Sequence, residues 1–211
     1  MLDRKFILRL LKALNAELKG MGSIGEVGLC GGAVMCLVFE ARKSTKDVDG
    51  IFHPTREMRQ AIRAVAERFA LPPDWLNDAA KGFFHAEPPR EDVLNLSHLR
   101  VWAPGAGYML AMKCVAARFD SHDRDDVEFL IKYLGLGTAD AVFSLIEKYY
   151  PRRLVPAKSR FMVEEILQKK QIIRHEGERS VADAAAPGAR KNRAVRFRDR
   201  LRRMGHRQVH V

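Results

Sequence analysis

Two stretches of the chain carry apolar residues at intervals of three and four, which is the spacing of an amphipathic helix. The first runs from Asp3 to Leu18, with apolar positions at Phe6, Ile7, Leu10, Leu11, Leu14 and Leu18. The second begins at Pro54 or Thr55, with apolar positions at Met58, Ile62, Val65, Ala66 and Phe69. Each pattern predicts a helix that packs one face against a core.

Between these two helices the pattern changes to that of extended chain. The short apolar run from Glu26 to Cys30 predicts a strand, and Asp47 to Phe52 begins with the polar and apolar alternation of a half-buried strand. Gly31 and Gly32 predict a turn after the first strand, and Ala33 to Ala41 predicts a helix. A strand, a glycine turn, a helix and a second strand are therefore expected in succession.

The rest of the chain predicts one further pair of strands and a helical half. Strands are expected at Asp92 to Leu96 and Leu99 to Trp102. Helices are expected at Asp74 to Gly82, Pro104 to about Phe119, Ser121 to about Tyr133, Thr138 to before Pro151, and Lys158 to Ile173. The fold class that follows is α/β in the broad α+β sense, with a small mixed sheet, a helical C-terminal half and a basic tail. We assign residues 1–135 to a core domain, 136–175 to a helical extension and 176–211 to a flexible tail.

The positive charge of the chain is concentrated at its C-terminal end. The formal net charge is +11, and residues 174–211 hold 11 Lys and Arg against 4 Asp and Glu, which leaves +4 for the other residues. A basic segment of this kind favours nucleic acid, here RNA, as the partner, with an acidic protein as the second choice. No apolar stretch approaches the roughly 20 residues that cross a bilayer, so we expect a cytoplasmic protein without a membrane partner.

Asp47 and Asp49 stand two residues apart on a predicted strand. Because side chains alternate between the faces of a strand, both carboxylates are expected on one side and Val48 on the other. Two carboxylates that converge are ligands suited to Mg²⁺ or Mn²⁺, with water and phosphate oxygens completing the coordination shell. The pair predicts a divalent metal site for phosphoryl or nucleotidyl transfer.

Gly31 and Gly32 lie upstream of this pair, where a backbone without side chains allows phosphate to approach closely. Helix-terminal N–H groups at such a turn point towards an anion. Ser44 and Thr45, just before the aspartates, add hydroxyl donors. Together these residues predict a site for the phosphates of a nucleoside triphosphate (NTP).

Lys113 is the single charged residue between Tyr108 and Ala117, a segment that is apolar on every side of its predicted helix. A buried ammonium is costly unless an anion accompanies it. A triphosphate or a metal-bound carboxylate would supply that anion; alternatively, the side chain reaches the surface along its apolar stem. We expect Lys113→Met to keep or raise stability while NTP affinity falls.

The glycine pair followed by Asp47-Val48-Asp49 resembles the signature of the nucleotidyltransferase superfamily, over about residues 26–135. More narrowly, the chain resembles bacterial AbiEii-like, toxin-type nucleotidyltransferases, through the segments from Leu110 to Arg118 and from Asp123 to Val127. The resemblance implies a catalytic Lys113 and adds Asp123, Asp126 and Arg118 as further candidates. It also implies a third metal carboxylate on a later strand. Residues 93–103 contain no acid, so Glu91, Asp92, Asp78 or Asp126 is left to supply it.

The function expected from these residues is metal-dependent transfer of a nucleoside monophosphate (NMP) from an NTP to a hydroxyl. An RNA 3′ end is one candidate acceptor. The resemblance implies a toxin or phage-defence effector with a partner antitoxin protein. Two alternatives stay open: a non-catalytic nucleic-acid-binding protein on the same fold, and a small-molecule nucleotidyltransferase of the kind that inactivates antibiotics.

Overall fold

The computed structural model describes residues 1–116 and 121–169. The chain divides into two units, Met1–Glu164 and Glu165–Val211. Of the second unit, only residues 165–169 are described, and they are helical. The following elements belong to the first unit.

Helix α1 (Arg4–Gly20) and helix α3 (Thr55–Phe69) pack against each other. α1 begins at Asp3, whose carboxylate accepts a hydrogen bond of 2.8 Å from the backbone N–H of Phe6, as an N-cap does. Their apolar stripes are buried, including the α1 positions Ile7, Leu10, Leu11, Leu14 and Leu18 and the α3 positions Met58, Ala61, Ile62, Val65 and Ala66. The periodic pattern therefore predicted both helices and their buried faces correctly.

Five strands of the described chain form one mixed sheet in the order β5-β4-β2-β7-β6. They are β2 (Gly25–Cys30), β4 (Val48–His53), β5 (Leu76–Asn77), β6 (Arg90–Asn95) and β7 (Leu99–Pro104). β2 is central, antiparallel to β4 and parallel to β7. A separate two-stranded ribbon pairs β1 (Leu2–Asp3) with β3 (Ser44–Thr45). The expected mixed α+β fold is confirmed.

Close packing at Gly28 fixes the distance between β2 and the indole of Trp102 on β7. A Cβ atom at position 28 would lie 2.2 Å from the Trp102 ring, so a side chain there would overlap it. Trp102 is buried, and its indole N–H donates to the Glu26 carboxylate at 3.0 Å. The middle of the sheet therefore requires glycine at this position.

The C-terminal part of this unit is helical. It contains α4 (Ala106–Ala116), α5 (Ser121–Tyr133) and α6 (Ala139–Glu147), with residues 157–164 also helical and both α5 and α6 packed on α4. The Thr138 hydroxyl accepts from the backbone N–H of Ala141, which confirms the predicted cap of α6. No described helix is both long enough and apolar enough to span a membrane.

Three local predictions differ from the structure. Gly31 and Gly32 are the first residues of a short helix, α2 (Gly31–Leu37), rather than a turn before a helix that extends to Ala41. The segment predicted as a helix at 74–82 is instead strand β5 followed by a 3₁₀ helix (Ala79–Phe83). Pro104 ends strand β7 instead of occupying the first turn of α4.

Candidate functional site

A cleft of about 620 Å³ opens at one end of the strands, where β2 ends and the neighbouring β4 begins. Cys30, the last residue of β2, is paired in register with Asp49 of β4, and helix α2 starts immediately after Cys30. Around this point the cleft is lined by Gly31, Gly32, Arg42, Ser44, Thr45, Lys46, Asp47, Asp49, Asp74, Asn77, Phe83, Met112, Lys113, His122 and Asp123, among others. Sheet, loop and helices α4 and α5 of one unit therefore all contribute to it.

Asp47 and Asp49 both line the cleft, whereas Val48 between them is fully buried. Asp49 lies on β4, and Asp47 is the residue just before the strand. This is the arrangement that alternation along an extended chain produces. The structure thus brings together the two carboxylates that the sequence predicted to converge.

The two glycines lie at very short range from residues of β4 and β3. Gly31 has a φ of +62°, a conformation that side chains disfavour, and a Cβ atom there would lie 2.9 Å from the Oδ2 atom of Asp49. A Cβ atom on Gly32 would lie 2.6 Å from the Thr45 hydroxyl oxygen. Both positions therefore exclude a side chain, and backbone is exposed to the cleft directly beside a carboxylate and a hydroxyl.

Ser44 and Thr45, on β3, line the cleft as expected. Thr45 is buried and held in register with Leu2, so its hydroxyl has a fixed position beside Gly32. Helix α2 has only seven residues, so an anion in the cleft would be held by the backbone of Gly31 and Gly32 and by nearby cations more than by the dipole of the helix.

Lys113 is 9% exposed, and its ammonium contacts two carboxylates of α5. The Nζ atom lies 2.8 Å from Asp123 Oδ1 and 2.8 Å from Asp126 Oδ2. The side chain is therefore neither extended to the surface nor dependent on a ligand for its counterion. Asp123 lines the cleft together with Lys113, while Asp126 is buried behind them.

Arg42 is a cleft residue that the sequence analysis missed. Its Nε and Nη2 atoms donate to the two oxygens of Asp126 at 2.6 and 2.5 Å, and Nη2 also donates to the backbone carbonyl of His122. Nη1 lies on the other side of the guanidinium, 3.4 Å from where a Gly32 Cβ would be. Asp126 therefore holds two cations, Arg42 and Lys113, at one side of the cleft.

The expected third carboxylate is not assembled with Asp47 and Asp49. Glu91 and Asp92 are exposed on the edge strand β6 and do not line the cleft, and Asp78 pairs with Arg59 at 3.0 Å. Within residues 1–116 and 121–169, no group of three or more His, Cys, Asp or Glu side chains is arranged to hold a metal ion. Asp47 and Asp49 therefore offer a two-ligand site. Arg118, a further candidate, lies outside the described residues.

The three cysteines are buried thiols. Burial raises the pKa of Cys30 well above its usual range; the negative charge of Asp49 raises it further, and Lys113 has the opposite effect. Burial alone raises the pKa of Cys114 to about 12. A thiol with a raised pKa is a poor nucleophile at neutral pH, so the cleft offers carboxylates and cations for chemistry rather than a thiolate.

Comparison of the whole chain with protein-family models, curated proteins and solved structures finds no match.

Proposed function

We propose that the chain is a metal-dependent nucleotidyltransferase, which transfers an NMP group from an NTP to a hydroxyl acceptor. The observation that carries the proposal is the Asp47 and Asp49 pair beside Gly31 and Gly32, with Lys113 and Arg42 completing the same cleft. Its volume of about 620 Å³ is within the range of small-molecule sites. Carboxylates alone would repel a triphosphate, so the cations and the open backbone are needed for it to bind.

The chemistry of the donor set fits a divalent cation. Asp47 and Asp49 would hold Mg²⁺ or Mn²⁺, since Mg²⁺ usually takes one or two carboxylates and keeps water and substrate phosphate oxygens as its other ligands. When bound, such an ion neutralises phosphate oxygens and lowers the pKa of an attacking hydroxyl. Two carboxylates are sufficient for that role when the triphosphate itself supplies ligands.

The residues of the chain then have distinct tasks. Gly31 and Gly32 line the cleft beside Asp49 and Thr45, and their backbone N–H groups would donate to the phosphates. Lys113 and Arg42, already fixed by Asp126, offset the negative charge that develops as the acceptor oxygen bonds to the α-phosphorus and the bond to the β-phosphate breaks. Pyrophosphate leaves, and the proton of the acceptor hydroxyl passes to solvent.

For the acceptor we propose an RNA 3′ end, on the basis of the basic segment after residue 173. A toxin-type role beside an antitoxin protein remains a proposal from the sequence resemblance. Among the described residues no third acid is grouped with Asp47 and Asp49 to hold a metal ion, which favours one rival, a protein that binds nucleotide and RNA without transferring the NMP.

Incubation with NTPs labelled at the α-phosphate, Mg²⁺ or Mn²⁺, and RNA, protein or aminoglycoside acceptors tests the proposal. We expect Asp47→Asn and Asp49→Asn each to lower transfer by about a hundredfold or more while the melting temperature changes little, because each removes a charge from a solvent-facing cleft and keeps its shape. Asp140→Asn, an exposed acid on α6, is the matched control. NTP binding by calorimetry without transfer to any acceptor would identify the non-catalytic rival, and near wild-type transfer by Asp49→Asn would exclude the metal assignment.

A further inference from the structure

Helix α3 presents a row of arginines on its solvent face. Arg56, Arg59 and Arg63 are exposed, and together with the exposed Gln60 they line a surface groove. Residues separated by three or four positions lie about 5–6 Å apart on a helix surface, and the row from Arg56 to Arg63 extends over about 10 Å at 1.5 Å per residue. The row therefore places three cations at regular spacing along one line.

Two of the three cations have no carboxylate of their own. In the described part of the chain, neither Arg56 nor Arg63 forms an ion pair, and the nearby Glu67 is not within pairing distance of Arg63. Arg59 does pair, with Asp78 at 3.0 Å. The positive field of the row therefore comes from Arg56 and Arg63.

The Arg59–Asp78 contact connects this row to the rim of the cleft. Asp78 lies between Asn77 and Ala79, and both of these residues line the cleft that holds Asp47 and Asp49. An extended polyanion on the row would thus pass close to the rim of the cleft. Such continuity is what a polymeric acceptor requires, because its terminal hydroxyl must enter the cleft while its backbone stays outside.

The composition of this surface also distinguishes between partners. The exposed side chains of α3 are polar or charged, and no large hydrophobic residue of the helix is exposed. A protein interface needs an apolar core, and a helix that lies on a membrane needs an apolar face to insert. Binding to a phosphate backbone needs neither, since it is driven by cations that replace counterions.

We infer that the Arg56–Arg63 row binds the phosphodiester backbone of the acceptor RNA and directs its 3′ end into the cleft; this inference rests on the proposed function. Arg56 and Arg63 contact phosphates directly, and Arg59 stays paired to Asp78 and keeps the row next to the rim. The row lies more than 100 residues before the C-terminal basic segment in the sequence, so the proposed RNA contacts come from two parts of the chain.

The test compares full-length Arg56→Gln/Arg63→Gln with wild type for binding to a labelled single-stranded RNA from 50 to 200 mM salt. Loss of two phosphate contacts should reduce the slope of log affinity against log salt by about 1.4, at about 0.7 per contact with a single strand, so the affinity lost over this range becomes about sevenfold smaller. Lys132→Gln/Lys148→Gln is the matched control, because it removes the same charge from exposed positions of α5 and just after α6. The control should keep the wild-type slope. Glutamine retains helix propensity, so both variants should melt as wild type does.

Three outcomes would overturn the inference: equal slopes for Arg56→Gln/Arg63→Gln and wild type, an equal decrease for the lysine control, or binding of polyglutamate as tight as that of RNA. NTP affinity, measured separately, should be unchanged in Arg56→Gln/Arg63→Gln, because neither residue lines the cleft. If wild type transfers no NMP but the slope still decreases selectively, the proposed function fails while the row remains an RNA-binding surface.

Discussion

Asp126 is the residue whose replacement tests the organisation of the cleft most directly. It is 2% exposed and contacts two cations, Arg42 on the loop before β3 and Lys113 on α4. Asp126→Asn keeps the shape and one acceptor oxygen but removes the charge. Arg42 is then left partly buried without its counterion, because this carboxylate accepts from both its Nε and its Nη2 atoms.

The expected cost follows from the geometry. Removing one partner of a buried ion pair costs about 3–5 kcal/mol, and we expect the lower end, about 3 kcal/mol, because Lys113 keeps its 2.8 Å contact with Asp123. For a chain of this size, about 2–4 °C per kcal/mol gives a decrease in melting temperature of roughly 6–12 °C. NTP affinity should fall as well, since Arg42 loses the contacts that orient it beside Gly32.

Urea unfolding and thermal melting measure the loss of stability in Asp126→Asn. Calorimetry with a non-hydrolysable NTP measures the decrease in NTP affinity. Asp123→Asn is the matched control: that carboxylate is more exposed, and Lys113 keeps its contact with Asp126 when Asp123 is replaced, so about 1 kcal/mol is expected for the lost hydrogen bond. An Asp126→Asn protein that melts within 2 °C of wild type would refute the reasoning. So would a variant that is strongly destabilised but binds NTP as wild type does, because the orientation of Arg42 would then not matter for the site.

Two further predictions concern the core. Gly28→Ala should lower the free energy of unfolding by about 1–3 kcal/mol, because the new Cβ would lie 2.2 Å from the Trp102 ring; Gly20→Ala, which meets no atom within 4 Å, should be neutral or stabilising in the same urea titration. Cys114 should not react with a thiol reagent at pH 8 until the protein unfolds. In the folded protein the pKa of Cys114 is raised from 9.0 to about 12. The stability that the buried neutral thiol contributes is therefore complete below pH 9 and is lost as the pH rises from 9 towards 12. Unfolding of Cys114→Ala and wild type, compared over this pH range, would detect the loss. Rapid labelling of native protein at pH 8 would contradict this.

The parts of the fold that the sequence predicted well are those set by neighbours along the chain. The stripes of α1 and α3, the Thr138 cap and the alternation around Val48 all depend on residues within a few positions of one another. Two glycines and two aspartates near each other in sequence were enough to place one corner of the cleft. Asp47 and Asp49 line the cleft and Val48 is buried, as the alternation predicted.

The misses have a common physical cause, which is contact between distant segments. Residues 74–82 have a helical composition, but the Val48 backbone N–H donates to the Trp75 carbonyl at 2.7 Å and Leu76–Asn77 adds to the edge of the sheet beside β4. The sequence around Arg42 gives no sign that it belongs to the cleft, because Asp126, the carboxylate that positions it, is 84 positions away.

Lys113 shows how such a contact changes a prediction. From its apolar neighbours alone, Lys113→Met was expected to keep or raise stability. The structure gives the ammonium two carboxylates, Asp123 and the buried Asp126, so the substitution would remove a counterion that both use. We now expect a loss of stability, which thermal melting of Lys113→Met would check.

The Arg42–Asp126 contact also has a consequence for the order in which the protein is made. A chain growing from its N-terminus contains Arg42, Asp47, Asp49 and both cleft glycines long before residue 126 has been synthesised. Closing so long a segment costs conformational entropy that only contacts formed afterwards can offset. A nascent chain would therefore hold its carboxylates and glycines without the positioned arginine, and the complete cleft would form only when α5 folds back onto α4.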